Sequence, residues 1–288
     1  MRYALLMFAT NLLAAEGSVE LAEATRALYT GDAPRAQSLA EDYRKAHPSS
    51  SAARLLIARA EMSRGDFSAA YVELDGVLRR EPRNVDALYY LSKLCGILSQ
   101  IEFRDLYSLA PDSARVHQLL GESYQAQEDL SKAQVEFAQA LAANPRSVRV
   151  LTALGEVKRA QSLCNEAIGF YTRAAAIEPH DYDANYGLGA CYLHQAKALT
   201  AIGWFRRAAA AEPDSAAARL ALGIAYMRAG KLAEAVPELK AAAALEPESR
   251  QAYVLIGQVY HRLNQPRDAE RAFRKARELS QPAGAQEP

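Results

Sequence analysis

The chain has 288 residues, with 34 Lys and Arg against 34 Asp and Glu, so its formal net charge is zero. A balanced chain lacks the broad basic surface that drives nucleic-acid binding, and residues 1–113 and 114–288 are each close to balance. Half of the residues are hydrophobic and 24% are charged, which suits a folded protein, and 15 Gly with 12 Pro exclude a collagen-like or linker-rich chain.

At the N-terminus Arg2 precedes an apolar stretch interrupted by Thr10 and Asn11. Ala15-Glu16-Gly17 then sets small residues two apart, as signal peptidase requires for a cut before Ser18. Residues 1–16 therefore read as a signal peptide, and a periplasmic or secreted location is expected. The alternative is an extra N-terminal helix on a cytoplasmic protein. Residues 3–15 are too few to cross a bilayer as a helix, so no integral membrane span is expected. Cys95, Cys164 and Cys191 are odd in number and contain no C-x-x-C, which points to buried small side chains rather than a disulfide framework.

From residue 17 onward the chain repeats. Pro48, Pro82, Pro111, Pro145, Pro179, Pro213 and Pro247 stand 34, 29, 34, 34, 34 and 34 residues apart. Each falls between two helical apolar patterns, where a residue without an amide proton stops a helix. With the proline at position 32 of a 34-residue unit, the units are 17–50, 51–84, 114–147, 148–181, 182–215, 216–249 and 250–283, and a shortened unit fills 85–113. Position 8 is then Gly121, Gly155, Gly189, Gly223 and Gly257, preceded by Leu or Ile. Position 11 is Tyr124, Tyr192, Tyr226 and Tyr260, with Lys158 as the exception. Position 20 is Ala36, Ala70, Ala133, Ala167, Ala201, Ala235 and Ala269. Position 24 is Phe137, Tyr171, Phe205, Leu239 and Phe273, and position 27 is Ala in the same five units.

Positions 4, 7, 8 and 11 share one helical face, and positions 20, 24 and 27 share another. The small residues let two helices approach, and the rings at 11 and 24 fill the space between them. One such pair cannot bury its face alone, so neighbours must stack. Gly31-Asp32, Gly65-Asp66 and Gly230-Lys231 at positions 15 and 16 mark the turn between paired helices. Asp181 or Asp183, after Pro179, is expected to cap the next helix. The shortened unit keeps Leu91 at position 7 and Phe103 eight residues before Pro111. Its five missing residues are expected to come from the turn, leaving a shorter first helix or a tighter turn. Helix 267–279 has a polar outer face and can close the array, and residues 284–288 are expected to be a disordered tail.

These columns resemble the tetratricopeptide repeat family, whose pattern is W-x₂-L-G-x₂-Y, then A-x₃-F, then P. The resemblance covers residues 17–283. The tryptophan column is the departure: position 4 holds His117, Leu151, Asn185, Arg219 and Tyr253. The implied fold is all-α, a right-handed superhelical solenoid of helix–turn–helix repeats. The resemblance also implies that first helices line a concave groove through positions 2, 5, 9, 12 and 13. That groove is polar in its middle, at Gln118, Glu122, Thr152 and Glu156. Toward the C-terminus Tyr186, Leu193, Leu220, Ile224, Met227 and Val254 form the candidate peptide-binding surface, with Arg149, Arg159, Arg228 and Arg262 as rim contacts. The alternatives are that Leu220 and Ile224 pack against adjacent helices, or that a neighbouring chain's end fills the groove. The Lys/Asn clamp by which some family members grip chaperone C-termini is absent, since its columns read Gln118, Glu122, Ala153, Asp183 and Gly187.

No phosphate loop, G-x-S-x-G or H-E-x-x-H occurs, so no catalytic residue and no cofactor is assigned. Cys191 and His194 could offer two metal ligands at i, i+3, but no second pair completes a site. The expected function is a non-enzymatic interaction scaffold in the bacterial cell envelope, binding a peptide or partner protein and no nucleic acid. The alternative is a cytosolic adaptor or regulatory subunit of a multiprotein complex. Nothing in the sequence sets the oligomeric state or the partner's identity.

Overall fold

The computed structural model describes residues 19–280, which form fifteen α-helices joined by short turns, with no strand among the described residues. The expected signal peptide and C-terminal tail lie outside the described residues. The helices fall into two compact units, divided after Leu109. The first holds α1 (Val19–Tyr29), α2 (Ala33–Ala46), α3 (Ser51–Arg64), α4 (Phe67–Leu78) and α5 (Val85–Leu109). The second holds α6 (Ala114–Ala126), α7 (Leu130–Ala143), α8 (Val148–Ala160), α9 (Cys164–Ile177), α10 (Tyr182–His194), α11 (Ala198–Ala211), α12 (Ala216–Arg228), α13 (Leu232–Leu245), α14 (Arg250–Arg262) and α15 (Pro266–Glu278).

Within each unit every helix packs on the next in sequence, and first helices also touch the first helix of the following repeat. The small-residue columns make this possible. All seven position-20 alanines are buried, as are Ala140, Ala174, Ala208, Ala242 and Ala276. A Cβ built on Gly121 would stand 2.6 Å from the Phe137 ring, and one on Gly189 would stand 2.7 Å from the Phe205 ring. Position 24 of each hairpin of the second unit thus packs directly on the bare backbone at position 8.

One device makes the turn in all seven full repeats. The amide at position 16 donates to the carbonyl at position 11, as in Asp32 to Ala27 at 2.9 Å and Leu163 to Lys158 at 2.8 Å. This closure needs a left-handed residue at position 15. Gly31, Gly65 and Gly230 supply it with φ of 87°, 82° and 74°. Glu128, Ser162, Ala196 and Asn264 supply it at φ of 58° to 63°, a conformation that costs a residue with a Cβ about 1–2 kcal/mol. At the start of first helices, Ser50, Ser113, Ser147, Asp181 and Ser215 each accept from the amide three residues on. Of the two candidates for the α10 cap, the structure selects Asp181, which accepts from Ala184 N at 2.7 Å.

The shortened unit differs from its expectation. Residues 85–113 do not form a hairpin with a tight turn; α5 is one uninterrupted helix of 25 residues. The five missing residues are those that would have made the left-handed turn. Without such a residue the hydrogen-bond ladder runs on through Gly96 and Ser99. Only the N-terminal half of α5 is anchored by fully buried side chains, Ala87 and Leu94.

The absent tryptophan column also has a structural explanation. Position 4 meets position 23 of its own hairpin, 19 residues later. In three repeats the pair is polar: Arg54–Glu73 at 2.8 Å and Arg219–Glu238 at 2.9 Å are ion pairs, and His117 Nδ1 hydrogen-bonds Glu136 Oε2 at 2.7 Å. In unit 148–181 it is apolar, Leu151 with Phe170. Asn185 turns instead to the backbone, donating to Pro179 O at 3.0 Å and Asp181 O at 2.6 Å. In those four repeats a complementary pair stands where the family places one large ring.

Candidate functional site

In the second unit the first helices α6, α8, α10, α12 and α14 lie side by side and present one shared face. Its columns do not share one environment. Position 5 is the seam between neighbours: Gln118 and Thr152 are buried there, and Tyr186, Leu220 and Val254 are half-buried. The expectation that position 5 opens into the groove is corrected for Gln118 and Thr152, because adjacent first helices close over that column. Positions 9, 12 and 13 remain the accessible ones, with Ile224, Leu193 and Met227 half-buried and Arg228 and Arg262 exposed.

The N-terminal part of this face is polar and internally neutralised. Arg149 Nε donates to Glu122 Oε1 at 3.0 Å. Arg159 grips Glu156 through Nε at 3.1 Å and Nη2 at 2.5 Å. The buried Tyr171 hydroxyl donates to Glu156 Oε1 at 2.6 Å. Burial, reinforced by Glu156, holds the Tyr171 phenol well above its usual range, so it stays protonated and donating. Burial also raises the Asp183 carboxyl, with Asp181 and Glu156 adding to it. Arg149 and Arg159 are therefore already engaged by carboxylates of the same face.

The C-terminal part is different. Tyr186 stands edge-on to Phe205 with centroids 5.4 Å apart and stacks on Tyr182 at 5.7 Å. Tyr186, Leu193, Leu220 and Met227 pack against one hydrophobic cluster that includes Phe205, Leu222 and Ile256. Ile224 and Val254 belong to no such cluster. Arg228 Nη1 reaches Leu193 O at 3.4 Å, and Arg262 Nη1 reaches Met227 O at 3.4 Å. Each arginine thus caps the first helix one repeat earlier, and neither meets a carboxylate among the described residues. A cavity of about 420 Å³ opens beside them, lined by Met227, Gln258, His261, Arg262 and Phe273.

Of the three cysteines expected to be buried, Cys164 and Cys191 are, whereas Cys95 is exposed on α5. Cys164 and Cys191 sit in one hydrophobic cluster with Tyr171 and Leu188. Burial, then the neighbouring Cys164 thiol, pushes the Cys191 thiol up to about 12, which keeps it unreactive near neutral pH. Cys191 is buried whereas His194 is exposed, so the i, i+3 pair does not converge. Among the described residues no group of three or more His, Cys, Asp or Glu could hold a metal ion, and no helix is long and apolar enough to cross a membrane. Lys158, in the tyrosine column, is satisfied by Glu166 at 2.7 Å.

Two family models, both described as tetratricopeptide repeat, match the chain: one over residues 119–181, 152–216 and 220–286, the other over 27–95. The chain belongs to the tetratricopeptide repeat family. Solved structures agree on the fold. A crystal structure of MamA is 25% identical, with a TM-score of 0.53, over 56% of this chain and 94% of that one. MamA from Desulfovibrio magneticus RS-1 is 20% identical, with a TM-score of 0.55, over 58% and 94%. YrrB, described as a tetratricopeptide repeat protein with an unusual peptide-binding site, is 19% identical, with a TM-score of 0.55, over 63% and 93%. No match is found among curated proteins. As a tetratricopeptide repeat array the chain is a protein-interaction scaffold, an all-α solenoid whose hairpins stack on their neighbours within each unit.

Proposed function

We propose that the second unit captures an apolar segment of a partner protein on the face of α10, α12 and α14, and that the protein performs no catalysis of its own. One observation carries this reading: half-buried Leu193, Ile224 and Met227 share this face with Arg228 and Arg262, two exposed arginines that reach the Leu193 and Met227 carbonyls and meet no carboxylate among the described residues. Apolar side chains that are left half-buried gain most from a guest that completes their desolvation, at about 25 cal/mol per Å² removed from water. The arginines favour acidic residues flanking that guest segment. The polar, self-neutralised stretch around Glu122 and Glu156 offers no comparable gain.

The reading extends to location. Arg2, the apolar run after it and the small residues at 15 and 17 support export to the bacterial envelope, where partners would be exported proteins. Both parts are tested together with a C-terminally tagged chain recovered from fractionated cells. Ile224 belongs to no packed cluster, so Ile224→Glu should leave the thermal midpoint within about 2 °C while reducing partner recovery at least about tenfold. Equal recovery by the variant would remove the groove assignment. A cytosolic chain retaining residues 1–16 would remove the envelope assignment and favour a cytosolic adaptor.

A further inference from the structure

The first unit carries an arginine without an anion. Arg59, at position 9 of α3, is half-buried, and its guanidinium lies 5.4 Å from the Tyr29 ring of α1 and 5.2 Å from the Tyr90 ring of α5. It forms no hydrogen bond or ion pair among the described residues. Five other arginines of this unit are ion-paired, Arg35 with Glu23, Arg44 and Arg54 with Glu73, Arg64 with Asp66 and Arg79 with Asp75, and Arg26, Arg80, Arg83 and Arg104, which meet no carboxylate among the described residues, are exposed where Arg59 is half-buried. One turn along α5, Lys93 lies 5.6 Å from the Tyr89 ring, again with no carboxylate. Tyr29 and Tyr89 are each 53% exposed, so the rings that hold these cations also border open solvent.

A guanidinium has five donors, and a half-buried one normally finds acceptors. Two rings lie beside it and none of its N–H groups meets an acceptor among the described residues, and a guanidinium edge matches a carboxylate through two parallel N–H···O bonds. The rings also fix the side chain in advance, which lowers the entropy lost when a ligand binds. Asp86 is the acid that acts on the Tyr90 hydroxyl.

We propose that Arg59 and Lys93, framed by Tyr29, Tyr89 and Tyr90, form a docking site for glutamate or aspartate side chains of an acidic protein segment. The site lies on the first unit and is independent of the apolar face of the second. The full chain is titrated calorimetrically with end-capped tetraglutamate, tetraglutamine and inorganic phosphate. Tetraglutamate should bind, tetraglutamine should not, and phosphate should fail to displace the peptide at equal concentration. Arg59→Gln should weaken tetraglutamate at least about tenfold, and Arg59→Lys by about fivefold, since lysine keeps the charge but loses the planar fork. If Arg59→Gln lowers the thermal midpoint, Lys93→Gln serves in its place, because Lys93 rests on a ring of its own helix; a loss of about threefold or more is expected. Ile224→Glu should leave this affinity unchanged. Undiminished binding by Lys93→Gln together with Arg59→Gln, equal binding of tetraglutamine, or displacement by equimolar phosphate would each overturn the proposal.

Discussion

Replacing Gly155 by alanine is expected to destabilise the second unit by about 1–3 kcal/mol, although alanine is the better helix former by about 1 kcal/mol. The new Cβ would stand 2.5 Å from Cε1 of Tyr171 and 2.7 Å from its Cδ1 and Cζ. The ring has nowhere to move. Gly187, on the next first helix, would meet the same ring with a Cβ of its own, and the hydroxyl is tied to Glu156 at 2.6 Å. Gly169 provides the opposite case. It is exposed on α9 with nothing within 4 Å of a built Cβ, so Gly169→Ala should stabilise by about 0.5–1 kcal/mol. Urea denaturation of the two variants should give midpoint shifts of opposite sign. A neutral or stabilising Gly155→Ala would show that Tyr171 is not wedged between the two glycines.

Glu61→Gln is expected to stabilise α3 at pH 8 and to leave it nearly unchanged at pH 4. Glu61 holds position 11, where four repeats of the second unit place tyrosine, and it is only 7% exposed. Its Oε2 has no partner, and its Oε1 accepts from Gln37 Nε2 at 3.5 Å. Burial, followed by repulsion from Glu73, Glu41 and Asp66, pushes its carboxyl from the usual 4.5 up to about 7. The folded chain therefore holds this proton more tightly than the unfolded chain. Folding takes up a proton between about pH 4.5 and 7, and stability falls as pH rises through that window. Above it the cost reaches up to about 3 kcal/mol, which glutamine removes. Because Trp204 lies in the second unit, amide hydrogen exchange of α3 is the suitable readout. Parallel pH profiles for the two proteins would contradict this account.

The parts of the fold legible in the sequence are those where one residue type answers one physical demand. In the second unit Gly at position 8 beneath a large side chain, and Ala at 20 and 27 between helices, recur because the facing side chain or helix leaves little room there. The turn was legible at Gly31, Gly65 and Gly230, but Glu128, Ser162, Ala196 and Asn264 take the same left-handed conformation and hide it. There the surrounding hairpin imposes the geometry against local preference. The position 4 and 23 pairs are invisible in any single column. They emerge only when residues 19 apart are compared, since Arg54, His117 and Arg219 differ in type yet each faces a glutamate. The long α5 is hidden in the sequence because deleting a whole turn and shortening one remove the same number of residues.

The candidate face was legible in part. Leu193 and Met227 pack against one cluster, and Arg228 and Arg262 each reach a carbonyl one repeat earlier. Position 5 follows helix-to-helix packing that the repeat register does not reveal, so Gln118 and Thr152 are buried. The Tyr29–Arg59–Tyr90 arrangement escaped notice because its members come from three repeats at three different positions, 13, 9 and 6.

The central claim, that partners dock on the first-helix face of the second unit, is tested most directly by photo-crosslinking in the native cell. A photoreactive residue is placed at position 224, on that face, or at position 199, an exposed leucine of the second helix α11. The account predicts a discrete crosslinked partner from position 224 and none from position 199. Crosslinking from position 199 alone, or equally from both, would contradict it.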